Sequence, residues 1–123
     1  MKKLTISVLA ASATASLALV QLASAHVDRP TAATATTVQV KGGEFFFKLS
    51  TKSAPSPGKV TFVFKNTGHV LHDFSIHGKK TPLIQPGKTA KLVVSFTKIG
   101  KYGYLCTVPG HAQAGMKGTF TVR

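Results

Sequence analysis

Residues 102–122 read YGYLCTVPGHAQAGMKGTFTV. Two alternating runs are parted by a loop of Pro, Gly and Ala that carries a cysteine, a histidine and a methionine. The alternation has the two-residue period of a β-strand, in which successive side chains face opposite sides. In the first run Tyr102, Tyr104 and Cys106 share one phase. In the second, Met116, Phe120 and Val122 share one, and Lys117, Thr119, Thr121 and Arg123 take the other. An apolar phase must face a core, so Cys106 and Met116 are expected to point inward from the ends of their strands. Four residues separate Cys106 from His111, and four more separate His111 from Met116.

The same period recurs along the rest of the chain. Candidate strands rich in Val, Phe and Thr lie at 37–41, 45–50, 60–66, 71–77, 90–97, 102–106 and 118–122. Turns are expected at 53–58, 78–87 and 97–101, where Pro55, Pro57, Pro82, Pro86, Gly87 and Gly100 break the pattern. Beyond the first 25 residues no long stretch has a helical period. The fold class is therefore all-β, and about seven short strands in a chain of this length indicate a two-sheet sandwich. Val60, Phe62 and Phe64, with Leu92, Val94 and Phe96, supply much of its core. His72 falls in phase with Phe74 and Ile76 and should point inward with them.

Cys106, His111, Met116 and His72 are then expected to meet at one end of the sandwich. Thiolate, imidazole and thioether are soft or borderline ligands, and two His, one Cys and a weak axial Met form the trigonal set of a blue-copper electron-transfer site. Cys106 is the only cysteine, and the only other methionine is Met1. A lone cysteine rules out an intrachain disulfide, a CxxC redox pair, a cysteine-rich zinc cluster and a two-cysteine copper centre. Burial as a small hydrophobe is its commoner fate, but a histidine and a methionine in the same loop favour ligation. His69 sits in the turn that follows Asn66-Thr67-Gly68 and is expected to be exposed rather than ligating; His77 takes the outward phase.

The first residues read as an export leader. Lys2 and Lys3 precede an apolar stretch, and Ala23-Ser24-Ala25 has the small-x-small form of a cleavage site. Residues 1–25 are the expected Sec-type signal peptide, residues 26–37 a flexible lead and residues 38–123 one domain. A periplasmic or extracellular location follows. Cleavage would leave His26 at the new N-terminus, where its amine and imidazole together offer a second chelate for Cu(II). Loss of Lys2 and Lys3 leaves fourteen basic residues against Asp28, Glu44 and Asp73, a charge of +11 with His neutral. Nucleic acid is a poor partner for an exported chain without helical or aromatic-rich recognition elements. A field of this sign suits an acidic redox protein or an anionic envelope surface.

The quoted residues resemble the cupredoxins, the small blue copper proteins that include plastocyanin, azurin and rusticyanin. The likeness spans most of the mature chain and rests on Asn66-Thr67-Gly68, His72, Tyr102-Gly103-Tyr104, Cys106, Pro109-Gly110-His111 and Gly115-Met116. It implies a Greek-key sandwich and one copper ion, held in a plane by His72, Cys106 and His111 with Met116 as a long axial ligand. It also implies a one-electron shuttle between larger redox proteins. No catalytic nucleophile or general base is apparent, so no enzyme is expected, and a monomer is expected to dock its partners transiently near His111, the electron exit ringed by Val108, Pro109, Ala112 and Ala114. Three departures stand out. The Cys-x4-His-x4-Met spacing exceeds that of plastocyanin and is closest to rusticyanin-like forms. Leu105 stands where plastocyanin has an exposed tyrosine. Asp73 follows His72 where asparagine is common, and its carboxylate could accept a hydrogen bond from Thr107 and lower the reduction potential.

Two other functions compete. Copper storage or delivery calls for exposed, exchangeable ligands, whereas this chain offers one cysteine and one non-initiator methionine, both expected inward. An adhesive sandwich with incidental His, Cys and Met would bind no copper.

Overall fold

The computed structural model describes residues 35–123. The expected leader over residues 1–25, and His26 with it, lies outside them. Nine strands follow in order: β1 (Thr36–Gly43), β2 (Phe46–Leu49), β3 (Ser53–Ala54), β4 (Gly58–Asn66), β5 (Ser75–Ile76), β6 (Lys79–Lys80), β7 (Thr89–Phe96), β8 (Gly100–Leu105) and β9 (Lys117–Val122). One sheet has the order β2-β1-β4-β7 and the other β3-β9-β8-β5-β6. β1 pairs with β4, and β3 with β9, in parallel; the remaining pairs are antiparallel. This is the all-β, two-sheet architecture expected from the sequence. Six of the seven expected strands are present over most of their length, the one expected over residues 71–77 shrinks to β5, and two short ones, β3 and β6, arise inside stretches expected to be turns. β1 begins at Thr36, opposite Val60, inside the expected flexible lead.

Parity accounts for the core. Val38 and Val40 from β1, Val60, Phe62 and Phe64 from β4, and Val94 and Phe96 from β7 turn inward from one sheet; Ile76, Tyr104, Phe120 and Val122 meet them from the other. Leu92, expected to be core, is only partly buried and packs against its edge. The layers interlock through aromatic rings. Phe62 lies 5.2 Å from Phe120 and 5.1 Å from Phe74, and Phe47 lies 5.7 Å from Tyr104, between ring centroids. Truncating one such buried ring to alanine typically costs about 3–5 kcal/mol, so these contacts fix the spacing of the two sheets.

The strand expected over residues 71–77 is the main correction. Only Ser75 and Ile76 are paired as a strand, while His72 makes a single bridge to Ile84. The Thr81 side chain interrupts the ladder there. The Phe74 amide donates to Thr81 Oγ1 at 3.1 Å, and the Thr81 amide returns a bond to the Phe74 carbonyl at 3.0 Å. His77 consequently sits in the β5–β6 turn with φ 49°, exposed and stacked on Phe96, not on a strand.

Candidate metal centre

His72 follows a loop that Asn66 pins at its base. The buried Asn66 side chain donates to the Val70 carbonyl at 2.8 Å and the Ile84 carbonyl at 2.7 Å, and accepts from the Gly68 amide at 2.9 Å. The His72 amide and carbonyl then bond to Ile84. Backbone and side-chain bonds together leave this ring little freedom, and it is wholly buried.

Cys106 is the first residue after β8, and Met116 the last before β9. Their backbones are tied, since the Cys106 amide donates to the Met116 carbonyl at 3.1 Å. The Met116 amide donates in turn to the His111 carbonyl at 3.0 Å, and the His111 amide to the Val108 carbonyl at 3.1 Å. The loop between the two strands is thus closed on itself, with Cys106 at 1% exposure, Met116 at 0% and His111 half-buried. The inward placement expected for His72, Cys106 and Met116 is found.

The ligand atoms converge. His72 Nδ1 lies 3.0 Å from His111 Nδ1, and Cys106 Sγ lies 3.9 Å from the first and 3.6 Å from the second. Bonds of about 2.0 Å to nitrogen and about 2.3 Å to sulfur in a trigonal plane set ligand atoms roughly 3.5–3.7 Å apart, so one first-row metal ion fits among these three. Among the described residues this trio is the one group of His, Cys, Asp and Glu that could hold a metal ion. Burial pushes the Cys106 thiol above its ordinary value; a soft metal ion held here would offset that by favouring the thiolate. His69 stays out of the cluster, with its side chain 95% exposed.

Two carboxylates support the ligands. Asp73, itself buried, accepts from the Thr107 amide at 2.6 Å and from the Thr107 hydroxyl, which ties the His72 segment to the loop after Cys106. That link was legible in the sequence. The second carboxylate was not. Glu44 lies between β1 and β2, and its Oε1 sits 2.9 Å from His72 Nε2. The same oxygen accepts from the amides of His69 at 2.7 Å and Val70 at 3.0 Å. These bonds, the one with His72 foremost, hold the Glu44 carboxyl at about 2. The overlooked signal was rarity, since Glu44 is one of three acidic residues in a chain of net charge +13.

A sequence model of the copper-binding proteins of the plastocyanin/azurin family matches residues 32–123. The chain is also similar to the copper-resistant cuproprotein CopI of Pseudomonas aeruginosa, 26% identical over 136 aligned positions that cover 70% of this chain and 75% of that one. With the copper-resistant cuproprotein CopI of Vibrio cholerae it shares 33% identity over 78 residues, 46% of each chain. Among solved structures, the reduced auracyanin of Roseiflexus castenholzii matches with a TM-score of 0.62 at 24% identity, over 72% of this chain and 98% of that one. That likeness speaks for the fold alone.

Proposed function

The chain belongs to the plastocyanin/azurin family of copper-binding proteins, and from that premise we propose that it is an exported one-electron carrier. Its single copper ion is held by His72, Cys106, His111 and Met116. The observation that carries this reading is the trio of ligand atoms, all within 4.8 Å of one another and two of them on buried residues. Bound copper supplies the Cu(I)/Cu(II) couple. The chain's own contribution is to hold the ligands in one arrangement that suits both oxidation states. Bonds from Asn66, Asp73 and Glu44, and the closed loop from Cys106 to Met116, resist rearrangement as charge changes.

His111 is the natural exit for the electron. Its Nδ1 faces Cys106 and His72, its ring is half-buried, and the 43%-exposed ring of Phe45 packs edge-on against it at 5.0 Å. Val108, Pro109, Ala112 and Ala114 complete a small apolar rim in the same loop. Such a surface suits brief encounters between a monomer and a redox partner, which use small interfaces. The basic charge selects an acidic partner or an anionic envelope surface. This reading assigns the chain no catalysis of its own, and the leader pattern over residues 1–25 supports a place in the periplasm or outside the cell.

The names of the curated relatives favour a second reading, in which the protein handles copper as cargo during copper stress. Reconstitution of the protein lacking residues 1–25 with Cu(II) separates the two. Intense visible absorption and reversible one-electron reduction are expected of the carrier. Colourless binding that a chelator reverses readily would replace it with the cargo reading.

A further inference from the structure

We propose that Glu44 positions and tunes the metal centre: its carboxylate fixes the His72 ring with Nδ1 toward Cys106 and His111, and strengthens that imidazole as a donor to Cu(II) more than to Cu(I). The inference rests on the copper reading above and adds to it a residue from outside the ligand set.

The two nitrogens of His72 face opposite ways. Nδ1 lies 3.0 Å from His111 Nδ1 and 3.9 Å from Cys106 Sγ, while Nε2 meets Glu44 Oε1 at 2.9 Å. The ring is wholly buried, so an Nε2–H without an acceptor would carry the full desolvation cost of an unmade hydrogen bond, about 1–3 kcal/mol. A carboxylate can only accept. Its presence therefore assigns the proton to Nε2 and leaves the lone pair on Nδ1, where the other ligand atoms converge.

Glu44 is itself fixed. Its Oε1 takes the amides of His69 and Val70, and Oε2 lies 3.4 Å from His69 Nδ1. Gly68 leaves it room, since a Cβ at that position would collide with the carboxylate. The hairpin between β1 and β2 thus adds a carboxylate bond to the His72 ring beyond the β1–β4 pairing of Gly42 with Asn66 and the bond from the Thr67 amide to the Gly42 carbonyl. Partners of this kind set ring orientation and raise ligand basicity. A formal negative charge one hydrogen bond from a ligand favours the more highly charged ion, so Cu(II) gains more than Cu(I) and the reduction potential falls.

The test compares the protein lacking residues 1–25 with its Glu44→Gln and Glu44→Ala variants. Glutamine keeps an acceptor oxygen and removes the charge. Its Cu(II) affinity should fall about tenfold relative to its Cu(I) affinity, which is a rise of ~59 mV in the potential. Alanine removes the anchor as well, and copper affinity should drop by about 10- to 100-fold with a changed visible spectrum. In the metal-free protein, nitrogen NMR should find the His72 proton on Nε2 in the parent and in Glu44→Gln, and shared between the ring nitrogens in Glu44→Ala. An unchanged potential in Glu44→Gln, or equal losses for both oxidation states, overturns the tuning role. If Glu44→Ala does not fold, Glu44→Gln alone decides. Failure of the parent to bind copper defeats the site reading itself, a result distinct from either of these.

Discussion

Asp73 stands next to His72 and presents both carboxylate oxygens to Thr107, one to its amide and one to its hydroxyl. An asparagine there keeps an acceptor for the amide, and its NH2 group can donate to the hydroxyl once the latter rotates. Asp73→Asn therefore removes a buried negative charge while preserving the tie between the His72 segment and the loop after Cys106. The expected result is a higher reduction potential, by a tenfold change in the balance of Cu(II) over Cu(I) affinity, or ~59 mV. Protein-film voltammetry measures it, and an unmoved potential would mean that Asp73 acts as a fastener alone. Glu44 bonds to the His72 ring and Asp73 to Thr107, so their effects on the potential should add unless the ring itself moves.

At the scale of elements, β8 and β9 carry the centre, because Cys106 leaves the first and Met116 enters the second. Tyr104 on β8 sits opposite Gly118 on β9, and the tyrosine ring occupies the space that a Cβ on Gly118 would need. Gly103, by contrast, has no neighbour nearer than 4.0 Å to such an atom. Gly118→Ala should therefore destabilise the metal-free protein by about 1–3 kcal/mol through overpacking. Gly103→Ala should stay within about 0.5 kcal/mol of the parent. Thermal unfolding reads the contrast, since about 1 kcal/mol moves the midpoint of a domain this size by roughly 4–8 °C. Equal behaviour of the two variants would remove the collision as the cause.

What the sequence disclosed follows from the same elements. Strand parity located Cys106, His72 and Met116 on inward phases because side-chain alternation is a local property, readable within a few residues. The strand over residues 71–77 misled because its bonds run to Thr81, Ile84 and Thr107, partners that no local period reveals. Glu44 was hidden for a related reason. It lies 28 residues before His72, in a hairpin loop whose pattern says only that the chain turns. The two-residue strands β3 and β6 were hidden too, since a pairing that short leaves no periodicity in a Pro- and Gly-rich stretch.

For the whole molecule, charge and site geometry make a joint demand on kinetics. Removal of the leader expected over residues 1–25 would leave fourteen basic residues against three acidic ones. Near the site, Asp73 is buried and Glu44, though exposed, is bonded to His72 and to the amides of His69 and Val70, so the long-range field that a partner meets is governed by the excess of cations. An oxidant of negative charge should be drawn to this surface and one of positive charge repelled, each over a range set by the ionic strength. Between about 10 mM and 150 mM salt the screening length contracts from ~30 Å to ~8 Å. Stopped-flow oxidation of the reduced copper protein by an anionic inorganic complex should therefore slow by about tenfold or more across that range. Oxidation by a cationic complex of matched potential should accelerate. If both rates ignore salt, the basic surface serves solubility alone, and encounter at His111 is governed by the apolar rim around Phe45 and Pro109.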